Sequence, residues 1–143
     1  MTKIVVGVDG SAHSTRAVEW CAQYGKPLDA EVVVVHAIEI PISPIIGLGN
    51  AYMPIPPVDT KPSELQAHIS NEWCAPLAGA GVPFRVVCTT GVPSVVVMQV
   101  AEREDADLVV TGRRGRGGFA ELLLGSTSHQ LSHHLDRPLV IVP

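Results

Sequence analysis

The sequence predicts an α/β domain built on an open five-stranded parallel sheet with helices on both faces. Three observations carry that expectation. Five short runs rich in Val and Ile recur at residues 4–8, 32–38, 84–88, 108–111 and 139–142, and their near-continuous apolar character marks strands covered on both faces. Segments with helical spacing of apolar residues lie between them. The alternation of strand and helix continues to the last strand, which calls for right-handed crossovers. No internal repeat is visible, and 143 residues suit one domain, 1–143. A chain of this size should bury roughly two thirds of the surface it exposes when open.

Each helix has its own signals. Ala17, Trp20, Cys21 and Tyr24 follow the i, i+3, i+4, i+7 spacing of one helix face, and Gly25 is read as the stop. Ser63 with Gln66 reads as a capping box, after which Leu65, Ile69, Trp73 and Leu77 form an apolar stripe. Pro76 should kink or shorten that helix. Pro93 fits the first turn of a third helix with Val96, Val97, Val100 and Ala101 on its buried side. A last helix is expected from Ser126 to Leu135, ending before Pro138. Residues 39–62 break the rhythm with six prolines, including Pro41, Pro56 and Pro62, and with Gly47 and Gly49. Neither a helix nor a central strand is expected there. The segment reads equally as a mobile lid or a passive insertion, and Ile45, Ile46, Leu48, Tyr52 and Met53 favour packing over free solvation.

Composition excludes several partner classes. Fourteen acidic residues against ten Lys and Arg give a formal charge of -4, and only 4% of residues are aromatic. A nucleic-acid track or an anionic membrane surface needs a net basic face, so neither partner is expected. Met1, Thr2 and Lys3 run at once into Ile4, Val5 and Val6, so no signal peptide is expected. Apolar runs stop well short of the ~20 residues of a membrane helix. Cys21, Cys74 and Cys88 lack metal or redox spacing and read as buried thiols in a reducing cytoplasm.

In an open parallel sheet, ligands bind beyond the carboxyl ends of the strands. After the first strand come Asp9, Gly10 and Ser11; after the second, Ala37 and Ile38; after the third, Thr89, Thr90 and Gly91. The fourth is followed by Gly112, Arg113, Arg114, Gly115, Arg116, Gly117 and Gly118, and later by Gly125, Ser126, Thr127 and Ser128. Glycines there let backbone amides approach an anion and adopt positive φ. Gly125, Ser126 and Thr127 open a helix, whose free amides and dipole favour negative charge. Three of the ten cations fall within four positions, and no acid intervenes between Asp107 and Glu121. A small polyphosphate ligand explains this pattern better than a nucleic acid.

The spacing of Gly112, two residues, Gly115, nine residues, then Gly125 and Ser126 resembles the nucleotide-binding signature of the universal stress protein family, in its ATP-binding branch. The resemblance extends through Ile4 to Ser11, Val35 to Ala37, Gly91 with Pro93, Asp107 to Gly112 and Arg137 to Val142. It implies a Rossmann-like sheet with strand order 3-2-1-4-5 and ATP as cofactor. Mg²⁺ would enter with the phosphates. By the same resemblance Asp9 would lie near ribose and phosphates, the backbone at Ala37 would hold adenine, and Thr111 and Gly112 would contact the ribose side. Gly115, Gly125, Ser126 and Thr127 would bind phosphates, with Arg116 counted among the cofactor-binding residues. The resemblance also implies a homodimer paired through Leu139 to Val142, an apolar edge that invites a partner. Thr127, where many relatives carry Val, and the proline-rich insert depart from the family pattern.

Plainer readings accompany these roles. Asp9 and Ser11 also suit a cap on the first helix, and Ser126 can cap and bind phosphate at once. Gly112 and Gly115 also suit a tight turn, and the arginines a solvated loop. His129 and His133 are spaced as a metal pair, but no third ligand follows, so an exposed polar helix face is preferred and no metal site is expected. His36 reads as a satisfied core histidine, and Trp20 and Trp73 as core residues. Gly115, Gly117 and Ala120 match G-x-G-x-x-A without the chain that a dinucleotide fold needs after it. The Walker pattern, the receiver-domain aspartate and the G-x-S-x-G elbow are missing. Rapid phosphoryl transfer needs a positioned water or base and metal ligands, so catalysis is weakly supported and no catalytic residue is assigned. The leading function is a nucleotide-responsive stress or signalling module in the cytoplasm, with little or slow hydrolysis. The alternative is a protein-interaction module of the same fold without nucleotide.

Overall fold

The computed structural model describes residues 1–39, 42–44, 52–54, 61–115 and 123–143. Strand β1 (Thr2–Gly7) leads into helix α1 (Ala12–Gly25) and strand β2 (Ala30–Ile38). Two three-residue strands, β3 (Ile42–Pro44) and β4 (Tyr52–Pro54), pair antiparallel apart from the main sheet. Helix α2 (Pro62–His68) continues through a π turn (Ile69–Trp73) into α3 (Ala75–Ala80). Then follow β5 (Phe84–Thr90), α4 (Pro93–Arg103), β6 (Leu108–Gly112), α5 (Ser126–His134) and β7 (Leu139–Val142). The main sheet is parallel throughout, in the order β5-β2-β1-β6-β7. Counting its five strands along the chain, this is the expected order 3-2-1-4-5.

Successive strand residues feed opposite faces, as the two-residue repeat of a strand requires. Ile4, Val6, Val32, Val34 and Val110 pack with Ala17, Val18 and Cys21 of α1 and with Ile69 and Leu77. Val5, Val33, Val35 and Val109 pack on the other face with Val96, Val97 and Val100 of α4 and with Leu131 of α5. The sheet is thus covered on both sides, which explains why its strands are almost pure valine and isoleucine. The four positions expected on the buried side of α4, Val96, Val97, Val100 and Ala101, are all buried. Cys21 and Cys74 are buried free thiols, raised by burial to about 12 and about 11, whereas Cys88 is only half-buried. Among the described residues no helix is long and apolar enough to cross a membrane.

Several local expectations need correction. On α1, Val18 is buried and Tyr24 is 40% exposed, stacked against Trp20 at a ring separation of 4.7 Å. Ser63 caps nothing: Pro62 occupies the first position of α2, and the Gln66 amide donates to the Val86 carbonyl at 2.8 Å. Tertiary demand from the edge strand outcompetes the local capping box. Pro76 does interrupt the helix, sitting in the first turn of α3. Apolar residues four apart drift by about 40° per step on a 3.6-residue helix, and the wider π turn absorbs that drift. Leu65, Ile69, Trp73 and Leu77 therefore all reach the core. Thr89 and Thr90 belong to β5, opposite Ala37 and Ile38, and do not form the loop after it. Within 39–62, the paired backbones of β3 and β4 replace a wholly structureless loop. Ile45, Ile46 and Leu48 lie outside the described residues.

Gly25 is the last residue of α1, and the chain turns beyond it, at Asp29 with φ 48°. Its role is contact: a Cβ there would lie 2.8 Å from Cγ1 of Val82, itself buried. Alanine would gain at most ~1 kcal/mol of helix propensity, against ~1–3 kcal/mol for overpacking. Gly25→Ala is therefore expected to lower stability by ~1–2 kcal/mol in urea unfolding. Val82→Ala should cost less in that variant than in the parent, and a stabilised Gly25→Ala protein would contradict the packing.

Candidate functional site

The strand order reverses at β1, whose neighbours β2 and β6 carry the chain in opposite directions across the sheet. A crevice opens beyond the carboxyl ends of those strands, as such a switch point dictates. It is a cleft of about 840 Å³, within the usual range for small-molecule sites. Its described lining includes Asp9, Ala37, Thr111, Gly112, Gly115, Gly125, Ser126 and Thr127. Eight of the nine site residues expected from sequence therefore meet in one place; the ninth, Arg116, lies outside the described residues.

The turn after β1 sets the first wall. Val8 N–H donates to the Val35 carbonyl at 2.9 Å, and Gly10 then takes φ 80°, a conformation that favours glycine. Ser11 is the N-cap of α1, its hydroxyl accepting from Ser14 N–H at 3.2 Å. Asp9 Oδ1 accepts from Ser11 N–H at 2.9 Å, so the capping reading holds for Ser11, while Asp9 braces the turn before the cap. The other carboxylate oxygen faces the opposite wall: a Cβ on Gly115 would lie 2.4 Å from Asp9 Oδ2. A side chain at 115 would have to displace that carboxylate from its present position.

The second wall follows β6. Thr111 is buried, and Gly112 lies so close to the first turn of α1 that a Cβ would meet the His13 carbonyl carbon at 2.7 Å. Arg113 N–H then donates to the Val142 carbonyl at 2.7 Å. The Arg113 carbonyl accepts from Gly125 N–H at 2.8 Å and from the Ser128 hydroxyl at 2.7 Å, which fixes the start of α5 beside the end of β6. Gly125, not Ser126, is the N-cap, and having no side chain it makes no side-chain cap bond. The first intrahelical bond is His129 N–H to the Gly125 carbonyl, at 2.9 Å. The amides of Ser126, Thr127 and Ser128 precede it and have no carbonyl partner within the helix. Three donors and the positive end of the helix dipole thus border the cleft.

The charge around this wall is positive. Arg113 and Arg114 line the cleft, and among the described residues their buried Nε atoms have no hydrogen-bond partner. Desolvation, then the charges of Arg16, Arg113 and Arg114, hold the His13 imidazole below its ordinary value, with Asp9 opposing them. The acids in the described lining are Asp9 and Glu39. An anion can therefore meet backbone amides, hydroxyls and guanidinium groups in one corner.

The opposite end is apolar and belongs to β2. Val35 carbonyl already faces β1, so alternation along the strand turns the N–H and C=O of Ala37 to the same side, where β1 has ended at Gly7. Those groups are offered to the crevice, with Val35, Val97 and Pro93 around them. Such an end suits a flat heterocycle that needs one hydrogen-bonding edge. His36 Nδ1 lies 2.8 Å from the Val8 carbonyl, so this histidine is satisfied as expected, while its residue also borders the cleft.

Two features differ from the sequence reading. The described glycines with positive φ are Gly10, Gly81 and Gly91, so Gly112, Gly115 and Gly125 serve close approach instead of positive φ. Ser128, 1% exposed, anchors the wall and was not among the expected site residues. Its position in the first turn after Gly125 was the available signal. Among the described residues, no group of three or more His, Cys, Asp or Glu is placed to hold a metal.

Comparison with known proteins agrees with this architecture. Universal stress protein YxiE of Bacillus subtilis is 28% identical over 148 residues, covering 98% of this chain and 97% of its own. A universal stress protein solved in complex with cAMP has a TM-score of 0.72 at 24% identity, covering 99% of this chain and 96% of that one. The Archaeoglobus fulgidus universal stress protein in complex with dAMP has a TM-score of 0.68 at 20% identity, with 100% and 98% covered. The profile of the universal stress protein family matches residues 1–143 without a break, and the chain belongs to that family.

Proposed function

We propose that the cleft binds an adenine nucleotide, ATP in particular, and that the protein is a nucleotide-responsive stress or signalling module. The observation that carries this reading is the first turn of α5, whose amides have no partner among the described residues, set beside Arg113 and Arg114 at one end of a cleft whose other end offers the Ala37 backbone. The cAMP and dAMP complexes of the two structural relatives support it, because both ligands join adenine to phosphate. In this reading adenine lies at Ala37, the ribose near Asp9, Thr111 and Gly112, and the phosphates at Gly115, Gly125, Ser126 and Thr127. Arg116 adds a further positive charge for the phosphates. Mg²⁺ rides on the phosphates, since the described lining supplies two carboxylates, Asp9 and Glu39, for a cation that usually keeps several waters.

Binding without rapid turnover follows from the same residues. Amides and hydroxyls can hold phosphates without hydrolysing them, while fast hydrolysis needs a base or water positioned on the terminal phosphate together with metal ligands, a role this reading assigns to no residue. The output is then conformational, passed through a homodimer paired along β7, an edge strand bonded only to β6 in the main sheet. Three free cysteines suit the reducing cytoplasm in which such a module would work.

Calorimetry should find one ATP bound per chain, and Gly115→Val should weaken it by roughly tenfold or more while circular dichroism stays unchanged, a loss of ~1.4 kcal/mol or more. Undiminished binding in that variant, or no binding heat at millimolar ATP, would overturn the proposed site. Replacing Arg113 and Arg114 together by Gln should weaken ATP more than AMP, because charge-assisted contacts scale with phosphate charge. Equal losses for the two nucleotides would place the arginines away from the outer phosphates.

A further inference from the structure

Helix α5 turns Ser128 and Leu131 inward and leaves His129, His133 and His134 exposed. His129 and His133, four residues apart, share one helix face, with ring centroids 4.5 Å apart and planes inclined by 59°. Against the expectation of a plain polar face, we propose that these two imidazoles form a binding site for a divalent transition-metal ion of the copper or nickel class.

The ring separation favours one class of ion. A metal–nitrogen bond of about 2.1 Å puts the ion about 3.2 Å from each ring centroid. With one nitrogen of each ring turned to that ion, centroids 4.5 Å apart correspond to a nitrogen–metal–nitrogen angle of about 90°. A tetrahedral angle, the habit of Zn²⁺, would need about 5.2 Å between centroids. The right angle joins adjacent positions of a tetragonal complex, which Cu²⁺ and Ni²⁺ adopt with nitrogen and oxygen ligands.

The backbone beneath the pair is held before any ion arrives. Leu131, between the two histidines in sequence, is fully buried, and the Ser128 hydroxyl bonds the carbonyls of Arg113 and Gly125 at 2.7 and 3.2 Å. A site on so anchored a helix loses less order on binding than one on a loop. His133 also stands in the last turn, where the carbonyl end of the helix favours positive charge. His134 cannot replace either partner: its ring is 6.4 Å from that of His133, and neighbours in sequence do not face each other on a helix. The absence of a larger ligand group among the described residues leaves the remaining positions to water. His129 borders the cleft, so the ion would sit at its rim, but the pair binds metal whether or not a nucleotide occupies the cleft.

The test is a calorimetric titration of the full, untagged, nucleotide-free chain with NiCl₂ and, separately, with ZnCl₂. One Ni²⁺ per chain is expected, bound more tightly than Zn²⁺. His129→Ala and His133→Ala should each weaken Ni²⁺ roughly tenfold or more, whereas His134→Ala should leave it unchanged. All three positions are exposed, and circular dichroism confirms that the variants fold. No Ni²⁺ binding, binding unmoved by His129→Ala or His133→Ala, equal loss in His134→Ala, or a preference for Zn²⁺ would overturn the proposal.

Discussion

The carbonyl oxygen of Arg113 holds the candidate site together. It accepts from the Gly125 amide and the Ser128 hydroxyl, while the amide of the same residue donates to Val142. One residue thus ties the end of β6, the end of β7 and the start of α5. Each bond contributes only about 1 kcal/mol net, but a buried carbonyl left without partners would cost ~1–3 kcal/mol. The arrangement is therefore more specific than it is strong. It keeps the first turn of α5 open toward the crevice, where a side-chain cap would otherwise have consumed its amides.

The two walls also depend on each other. Asp9 is held by the turn that caps α1, and its carboxylate lies where a side chain on Gly115 would be. The first turn of α1 in turn presses on Gly112 through the backbone of His13. The start of α1 is thereby pinned to the carboxyl edge of the sheet, most tightly at Gly112, where a Cβ would meet backbone atoms of His13. The valine core makes this edge rigid, because each strand is packed on both faces and registered against its neighbours.

How much of this was legible in the sequence follows from the range of each interaction. The strands could be read because burial on both faces forces near-continuous Val and Ile, and α4 because its stripe faces one sheet. Helix ends were misread where tertiary partners decide them. Gln66 leaves its expected cap to reach Val86, and Gly125 displaces Ser126 as the N-cap of α5. The residues of the site were legible as a glycine and hydroxyl spacing. The conformations behind that spacing were not, since positive φ falls at Gly10 and close approach at Gly115. Ser128 was named in that stretch but given no role, because its partner, the Arg113 carbonyl, is adjacent only in the folded chain.

The central claim is that the open first turn of α5 and the free backbone edge at Ala37 face one ligand across the crevice. Amide-resolved nuclear magnetic resonance of the labelled chain, titrated with ATP, tests it most directly. The largest shifts should fall together on Ser126, Thr127 and Ala37, with little change at Ser63, Gln66 and Phe84 beside the outer edge of β5. Shifts that spare Ser126 and Thr127, or that gather at the β5 edge instead, would contradict it.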